Sequence, residues 1–438
     1  MGNNERTALE AFLEDHPVVD IVRLHWVDYS GVFHTRFIPK QRALNLAKGE
    51  DAYSLAQNCL ITPISTAPDC FAAGPERWEA HPDWTSLRLC GSDPRHATVM
   101  CFLDQVGSLY RFSFCPRALL QNALKADENW EPGSLLVGFE IEFVLLGPDD
   151  ALYKPVDRVA GPYRTAGLRA GTMKIVEEVL DALNLSNIPY HHFHTEVSDQ
   201  LEIAIAPLPP MQAIDALYLT QETIHTIFIR HEIKVSMAPR PVFNGPQNGR
   251  HMHLSLSNGD PVRAERFLAG ILARMRPLCA FGMANVDSYA RVVPDGAGLF
   301  IGWGTENRDL PIRKIGETHW EFRFVDATSN AYLFLAGLLQ AGAGGNRESR
   351  RLDFKDCNVF VEPLSAVQRE VYGIRDTMPK SLGDTLAALK YSEELCYDLF
   401  SWMGWGCVKK YVSVKEKEIE VFGKMTDEER RKKFLEYF

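Results

Sequence analysis

The chain has 438 residues, which favours two domains over one, and its 46% hydrophobic and 24% charged residues are ordinary for a globular protein. The formal net charge of −10 argues against a nucleic-acid partner, because phosphate backbones attract basic surfaces. We expect no membrane partner and no export, since no run of eighteen apolar residues and no apolar signal centre is present. The nine cysteines form no CxxC pair, which is typical of a reduced, cytoplasmic protein.

The first hundred or so residues are predicted to form short strands and turns. Strands are predicted at residues 18–27, 32–38, 98–103 and 108–114. The sequence DYSG at residues 28–31 predicts a tight hairpin turn between the first two, because glycine adopts positive φ at little cost. Residues 62–94, rich in Pro, Asp and Trp, predict a long irregular loop with a functional role.

A domain boundary is predicted near residues 113–117, because Pro116 can open a helix over 117–125. Beyond it, helices are predicted at 168–183, 211–231, 264–283, 331–343 and from 382 onward. Strands are predicted at 135–146, near His194 and Glu202, at 234–237 and 251–257, and around Phe300, Ile312 and Glu321. Charges alternate in sign over 415–433, which predicts a solvated helix.

Polar residues two apart interrupt segments that otherwise resemble buried strands. In residues 138–143 (GFEIEF) the period of two places Glu140 and Glu142 on one face and the apolar side chains on the other. Adjacent carboxylates repel, so they need a cation or a shifted pKa. A metal is the simplest partner; a solvated strand face explains this single pair equally well.

The same spacing recurs in three further segments. Their residues are Gln200 with Glu202, His251 with His253 and Ser255, and Glu321 with Arg323; Glu196 lies shortly before the first pair. Such a set predicts the wall of a site built on a sheet, and its mostly oxygen ligands favour Mg²⁺ or Mn²⁺. Metals beside Arg291, Arg308 and Arg313 indicate phosphoryl transfer, although no Walker-type loop is present.

Three histidines, His191, His192 and His194, precede Glu196 and present a choice between two roles. Together they suggest a metal cluster. Histidines beside strands are more commonly hydrogen-bonded structural groups, and we expect that role here.

These motifs, in this order, resemble the glutamine synthetase family over nearly the whole chain. The segments that carry the resemblance are 26–31 (WVDYSG), 138–143 (GFEIEF), 194–202 (HTEVSDQLE), 248–255 (NGRHMHLS), 288–294 (SYARVVP), 307–313 (NRDLPIR) and 321–324 (EFRF). Each is short, but their order and spacing together are highly specific.

The resemblance implies an α+β fold with a β-grasp domain over 1–112 and a catalytic domain over 113–438 whose antiparallel strands form a funnel. It also implies a homo-oligomer of stacked rings, a dodecamer or decamer. ATP would enter at one end of the funnel and the acid and amine at the other. A carboxylate, expected to be the γ-carboxylate of glutamate, would attack the γ-phosphate, and an amine would then attack the acyl phosphate.

The resemblance also implies roles for individual residues. One of two or three metal ions per site would be held by Glu142, Glu196 and Glu202, and another by Glu140, His251 and Glu321. His253, Ser255 and Arg313 would contact ATP, with Arg308 and Arg313 as the catalytic residues that steady the phosphates. The acid would be bound by Asn248, Gly249, Arg291 and Arg323.

Two departures from the family pattern bear on the amine. The ammonium-binding aspartate has no counterpart in residues 54–60 (SLAQNCL), and the flap glutamate is absent from 294–300 (PDGAGLF) unless Asp295 replaces it. An ammonium ion would have little to attract it, whereas an organic amine gains binding energy from apolar surface. A shortened loop also puts the Asn248 contact in doubt.

The sequence therefore predicts an amide synthetase that uses an organic amine. A true glutamine synthetase that uses ammonia is the alternative within the same chemistry. A catalytically silent ring-forming protein is a second alternative, and phosphorylation without amide formation is a third. The retained metal set argues against the silent protein, because clustered carboxylates repel without a cation.

Overall fold

A computed structural model of the chain describes residues 3–56, 59–61, 63–64, 77–126, 134–153, 161–169, 171–256, 260–391 and 404–438. The first part of the chain forms a six-stranded sheet with two helices. Its elements are α1 (Asn3–Asp15), β1 (Ile21–Val27), β2 (Phe33–Pro39), α2 (Lys40–Lys48), β3 (Tyr53–Leu55), β4 (Trp78–Pro82), β5 (Arg88–Leu89) and β6 (His96–Gln105). The strand order is β2-β1-β6-β4-β3, with β5 also on β6, and β1 with β6 is its parallel pair.

The predicted hairpin is confirmed, and its turn packs against the second half of the chain. The backbone N–H groups of Ser30 and Val32 both donate to Asp28 Oδ1 at 2.9 Å, which holds the turn. Gly31 has φ +83°, and a Cβ there would lie 2.4 Å from the carbonyl oxygen of Thr328. Glycine is therefore required both by the backbone conformation and by this close approach.

The remainder of the chain forms an eight-stranded sheet and ten helices, counted over the residues that the structure describes. The strands are β7 (Leu135–Leu146), β8 (Tyr190–Thr195), β9 (Gln200–Leu208), β10 (Lys234–Ser236), β11 (Met252–Leu256), β12 (Trp303–Thr305), β13 (Ile312–Gly316) and β14 (His319–Phe322). The helices are α3 (Pro116–Ala126), α4 (Thr172–Leu185), α5 (Pro210–Arg230), α6 (Pro261–Ala273), α7 (Met275–Gly282), α8 (Ala331–Arg347), α9 (Ala366–Val371), α10 (Leu382–Tyr391), α11 (Trp405–Phe422) and α12 (Asp427–Tyr437). The strand order is β12-β13-β14-β11-β7-β9-β8, with β10 also on β7.

Two predictions in the N-terminal part are wrong. Residues 108–114 are not a strand, because the chain turns at Gly107 (φ +83°) and Phe112 (φ +58°), and the N–H of Phe112 donates to Asp104 Oδ1 instead of to a strand. Residues 62–94 are not irregular throughout, because β4 and β5 pair with β6. The part of that segment at 65–76 lies outside the described residues.

The helix predicted over 264–283 is two helices, α6 and α7, that meet at Arg274. Pro277 explains the break, because a continuous helix would need the N–H group that proline lacks. In the observed arrangement Pro277 lies in the first turn of α7, where that N–H is not required.

The alternating charges over 415–433 do not form a fully solvated helix. They divide between α11 and α12, and within α11 the side chains of Lys415 and Glu418 are fully buried and form a 2.9 Å ion pair. Glu418 also accepts a 2.7 Å hydrogen bond from Ser30 Oγ in the hairpin turn. This buried pair therefore joins α11 to the N-terminal sheet. Among the described residues, no helix combines the length and apolarity needed to cross a bilayer.

Candidate functional site

A cavity of about 1010 Å³ lies over one face of the eight-stranded sheet. Strands β7, β8, β9, β11, β13 and β14 all contribute to its wall. The predicted site residues that line it are Glu140, Glu142, Glu196, Glu202, His251, His253, Ser255, Arg308, Arg313, Glu321 and Arg323.

Strand register explains how residues from distant parts of the chain meet. His253 lies opposite Glu321 in the β11–β14 pair, and Glu321 lies opposite Arg313 in the β13–β14 pair. Glu202 lies opposite both Glu142 on β7 and His194 on β8. Residues opposite one another in antiparallel strands share a face, so the polar side chains form rows across the sheet.

The first row places two histidines beside Glu140. His253 Nε2 lies 3.0 Å from Glu140 Oε1, and His251 Nδ1 lies 3.2 Å from Glu140 Oε2 and 3.3 Å from Glu321 Oε1. Burial alone would raise the pKa of Glu140, but the hydrogen bonds from His251 and His253 outweigh it and hold the pKa well below its usual range. One oxygen each of Glu140 and Glu321 and a nitrogen of His253 lie close enough together to hold a single ion.

Glu321 is fully buried and holds two guanidinium groups. Its carboxylate lies 2.5 Å from Arg323 and 2.9 Å from Arg313. Burial would raise its pKa, yet the charges of Arg323 and His251 outweigh that effect and lower the pKa to about 2. Glu321 is therefore an anion at neutral pH.

The second row surrounds Glu202. His194 Nε2 lies 3.1 Å and His192 Nε2 lies 3.8 Å from Glu202 Oε1, while Glu196 Oε2 lies 3.5 Å from His194 Nδ1. Burial would raise the pKa of Glu202, but its contacts with His192 and His194 lower it. The pKa of Glu196 is raised, by burial and then by the neighbouring charge of Glu202.

The chemistry of these donors fits divalent cations. Within the part of the chain that the structure describes, the ion pairs of Glu140, Glu142, Glu196 and Glu202 are all with histidines. Among the described residues, none of these four carboxylates pairs with a lysine or arginine. Carboxylate oxygens with some imidazole are ligands for Mg²⁺ and Mn²⁺, so the donor set suits these ions.

Three residues predicted to bind the acid do not line the cavity. Asn248 is buried: its amide nitrogen donates to the carbonyl oxygens of Ser236 and Ala238, and its oxygen accepts from Gln200. Arg291 is also buried, and its guanidinium donates to the carbonyl oxygens of Val325 and Arg323. Their polar atoms are occupied by internal hydrogen bonds.

Gly249, the third of these residues, lies behind the first row. Its N–H donates to Glu142 Oε2 at 2.6 Å. A Cβ at this position would lie 2.6 Å from His251 Nε2 and 2.7 Å from the Arg291 guanidinium. The absence of a side chain at Gly249 therefore lets His251 reach Glu140.

Arg308 differs from the other site arginines. It is exposed at the cavity wall and makes no hydrogen bond or ion pair with the residues that the structure describes. Arg313, in contrast, is bound to Glu306 and Glu321. A free guanidinium beside a carboxylate-rich cavity is available to an anionic ligand.

Sequence reasoning missed three cavity residues with polar side chains, His319, Tyr163 and Gln247. His319 lies 3.0 Å from His253 Nδ1, and the period of two that singled out Glu321 and Arg323 would have included it. Tyr163 contacts His194 with ring centroids 4.7 Å apart, but it lies in a segment without periodicity, so no sequence signal was available. Gln247 also lines the cavity and follows no strand pattern. Asp295, which the sequence left open as a flap carboxylate, is at the cavity wall.

Comparison with known proteins gives matches along the whole chain. The family model for the glutamine synthetase catalytic domain matches residues 113–434. Protein fluG of Emericella nidulans is 30% identical over 98% of this chain, which spans half of that protein's length. The gamma-glutamylpolyamine synthetase GlnA3 of Streptomyces coelicolor is 27% identical over 89% of this chain and 88% of its own length.

Solved structures show the same fold. A GmaS/ADP complex superposes with a TM-score of 0.80, covering 97% of this chain and 98% of that chain at 22% identity. The structure of a novel glutamine synthase homolog superposes with a TM-score of 0.77 at 23% identity, over 96% of this chain and 99% of the other.

Proposed function

Because the chain belongs to the glutamine synthetase family, we propose that it is an ATP-dependent ligase that activates a carboxylate and joins it to an organic amine. The carboxylate in this proposal is the γ-carboxylate of glutamate. The observation that carries the proposal is the cavity itself, in which five glutamates face histidines and a free arginine. Such a site can bind metal-complexed phosphates and an anionic acid together.

The proposed metal ligands are those that the resemblance implies. Glu142, Glu196 and Glu202 would hold one ion, and Glu140, His251 and Glu321 another, with His253 close enough to join the second set. When bound, the ions neutralise charge on the transferring phosphoryl group.

The chain's own residues would bind and orient the substrates. Arg308 is placed to pair with phosphate oxygens, because its guanidinium is free of described partners. Arg313, His253 and Ser255 also line the cavity, and in this proposal they would contact ATP. Arg323 is fixed by Glu321 and by the carbonyl oxygen of Asp295 at 2.7 Å, and would orient the acid.

Two other predicted acid-binding residues, Arg291 and Asn248, would act indirectly in this proposal. Arg291 donates to the carbonyl oxygen of Arg323 at 2.9 Å, so it would act by positioning Arg323. Asn248 would act on Glu142 through Gln200, whose Nε2 contacts both residues.

Exclusion of water matters in this reaction because an acyl phosphate hydrolyses readily.

Several observations support an organic amine. The cavity wall includes apolar side chains that an alkyl or polyamine chain can cover, among them Leu136, Phe193, Ile205, Pro207 and Ile315. The relative GlnA3 is named a gamma-glutamylpolyamine synthetase. The ammonia alternative keeps one supporting observation, which is that Asp295 supplies a carboxylate at the cavity wall.

The wider architecture is part of the same proposal. Residues 1–112 would be the β-grasp domain and residues 113–438 the catalytic domain, with the eight-stranded sheet curved into a funnel. The start of the family match at residue 113 supports this division. We also propose stacked rings of subunits, a dodecamer or decamer, in the cytoplasm, and sedimentation velocity of the purified chain tests the assembly.

The activity is tested by phosphate release from ATP with Mg²⁺ and glutamate. Ammonium is compared with a panel of alkylamines, polyamines and aromatic amines. We expect at least one amine to exceed ammonium. Ammonium matching the best amine would establish the glutamine synthetase alternative, and no phosphate release with any amine would favour the silent protein.

One site variant and one control variant separate chemistry from folding. Glu142→Ala removes a proposed metal ligand and is expected to abolish ATP turnover without changing the assembly. Glu178→Ala, a glutamate outside the cavity that pairs with His231, serves as the control and is expected to retain turnover. Undiminished turnover in Glu142→Ala would show that the metal assignment is wrong.

A further inference from the structure

The histidine run beside Glu202 has a geometry that a structural role does not require. His192 and His194 alternate on β8, so both side chains lie on the same face of the sheet as Glu202 on β9. The register places His194 opposite Glu202 and His192 opposite the small Ala204. Both rings are thereby directed at Glu202 and stack on each other, with centroids 5.1 Å apart and planes at 14°.

The outer nitrogen of each ring is fixed, and its inner nitrogen faces Glu202. His194 Nδ1 lies 3.0 Å from the carbonyl oxygen of Thr195, which can only accept, so this nitrogen carries a proton. His192 Nδ1 lies 2.7 Å from His191 Nδ1. The Nε2 atoms of His192 and His194 are therefore the ones available to a ligand, an arrangement typical of metal-binding histidines.

The separations of the three donor atoms match those around one ion. Two ligands each about 2.1 Å from a tetrahedral ion lie about 3.4 Å apart. The observed distances from Glu202 Oε1 are 3.1 Å to His194 Nε2 and 3.8 Å to His192 Nε2. Donor atoms of all three residues lie within 4.8 Å of one another.

We propose that His192, His194 and Glu202 form a binding site for a borderline transition-metal ion of the Zn²⁺ class, in addition to the Mg²⁺ sites of the proposed ligase. Two imidazoles and one carboxylate are a ligand set that zinc uses when it keeps an open position. Mg²⁺ prefers oxygen ligands and gains little from imidazole. The three residues line the cavity, so the open position of the ion faces the space that substrates would enter.

Glu202 belongs to both this site and a proposed Mg²⁺ set. A zinc-class ion held by the two histidines would draw Glu202 away from Glu142, its neighbour across the β7–β9 pair. Zn²⁺ is therefore expected to inhibit any Mg²⁺-dependent turnover. This consequence depends on the proposed function, whereas binding of the ion does not.

The direct test is calorimetric titration of Zn²⁺ into metal-stripped protein held in excess Mg²⁺, without nucleotide or substrate. We expect the wild-type chain to bind Zn²⁺ in the presence of Mg²⁺. The His192→Gln and His194→Gln double variant is expected to weaken this binding by more than the roughly 10–100-fold that loss of an outer-shell partner costs. Because no substrate is present, failure of this test leaves the ligase proposal untouched, and failure of the ligase assay leaves this result standing.

His231→Gln is the matched control. His231 Nε2 lies 2.9 Å from Glu178 Oε2, so it forms a comparable His–Glu pair, but on the exposed surface. This variant is expected to bind Zn²⁺ as the wild type does. Equal Zn²⁺ affinity in the wild type and the double variant, or an equal loss in His231→Gln, would overturn the proposal.

A second measurement uses the wild-type chain alone, so its result does not depend on whether the double variant folds. Co²⁺ added in excess Mg²⁺ is expected to give the visible absorption of a four-coordinate nitrogen and oxygen site, and Zn²⁺ is expected to abolish that absorption. Only the weak absorption of six-coordinate Co²⁺ would count against the site.

Discussion

Glu321→Gln tests whether the buried carboxylate at the centre of the site also holds the fold together before any metal binds. Glu321 is fully buried and pairs with Arg313 at 2.9 Å and Arg323 at 2.5 Å. Glutamine keeps the size of the side chain but removes its charge. One half of the amide would also present N–H groups to a guanidinium that can only donate.

The expected loss of unfolding free energy in Glu321→Gln follows from the pKa of Glu321 and from its ion-pair partners. A fall in pKa from 4.5 to about 2 corresponds, at 1.36 kcal/mol per pKa unit, to about 3 kcal/mol of unfolding free energy at neutral pH. Breaking a buried ion pair by removing one partner costs about 3–5 kcal/mol, which agrees. We therefore expect the free energy of unfolding of the metal-free protein to fall by about 3 kcal/mol at pH 7.

The contribution of Glu321 to stability should depend on pH. Because its pKa is lower in the folded protein, its contribution is present above pH 4.5 and is lost as the pH falls through about 2. The gap between wild type and Glu321→Gln should therefore narrow by about half at pH 3.

Urea unfolding in the presence of a chelator, followed by tryptophan fluorescence, measures the gap between wild type and Glu321→Gln at each pH. Glu317→Gln is the matched control, because Glu317 is exposed in the turn between β13 and β14 and should leave the midpoint unchanged. Equal midpoints for wild type and Glu321→Gln at pH 7, or a gap that does not change with pH, would refute the assignment.

Three further substitutions probe other contacts. Arg308→Ala should leave the free energy of unfolding within about 0.5 kcal/mol of wild type, because the Arg308 side chain contacts no partner among the residues that the structure describes. It should lower ATP turnover on the order of 100-fold. A large shift in the urea midpoint would contradict this. Gly249→Ala should destabilise the protein by about 1–3 kcal/mol and raise the Mg²⁺ concentration needed for turnover, because its Cβ would displace His251; normal Mg²⁺ dependence would show that His251 has room to move. Lys415→Met should cost about 3–5 kcal/mol in urea unfolding, and adding Glu418→Gln should restore most of it; a double variant as unstable as the single one would show that charge balance is not the cause.

The sequence predicted much of the site because alternation on a strand is a local property. Glu140 with Glu142 and His251 with His253 were assigned to one face each from the period of two alone, and all four line the cavity. The buried pair Lys415–Glu418 could not be predicted in this way. Glu418 accepts a hydrogen bond from Ser30 in the hairpin turn, 388 positions away in the chain, and no local pattern reports such a contact.

Alternation along a strand does not predict every side chain that faces the cavity, because the strands that form it contain irregularities. Strand pairing shifts register at three places, between Val137 and Phe139, between Tyr190 and His192, and between Lys314 and Gly316. At the first shift the extra residue lies on β9, and at the other two it is His191 on β8 and Ile315 on β13, which both line the cavity. A bulge adds one residue to a strand and re-aims its side chain, so consecutive residues can reach the same space.

These register shifts also explain why the site depends on more than its ligands. A one-residue slip of a strand would turn its whole polar set to the opposite face. The shift at His191 sets the register in which His194, and not its neighbour Phe193, lies opposite Glu202. If His191 were instead paired regularly with Ala204, Phe193 would lie opposite Glu202, whereas deletion of His191 should remove the extra residue and leave His194 in place. Strand pairing therefore controls the metal-ligand geometry as much as residue identity does.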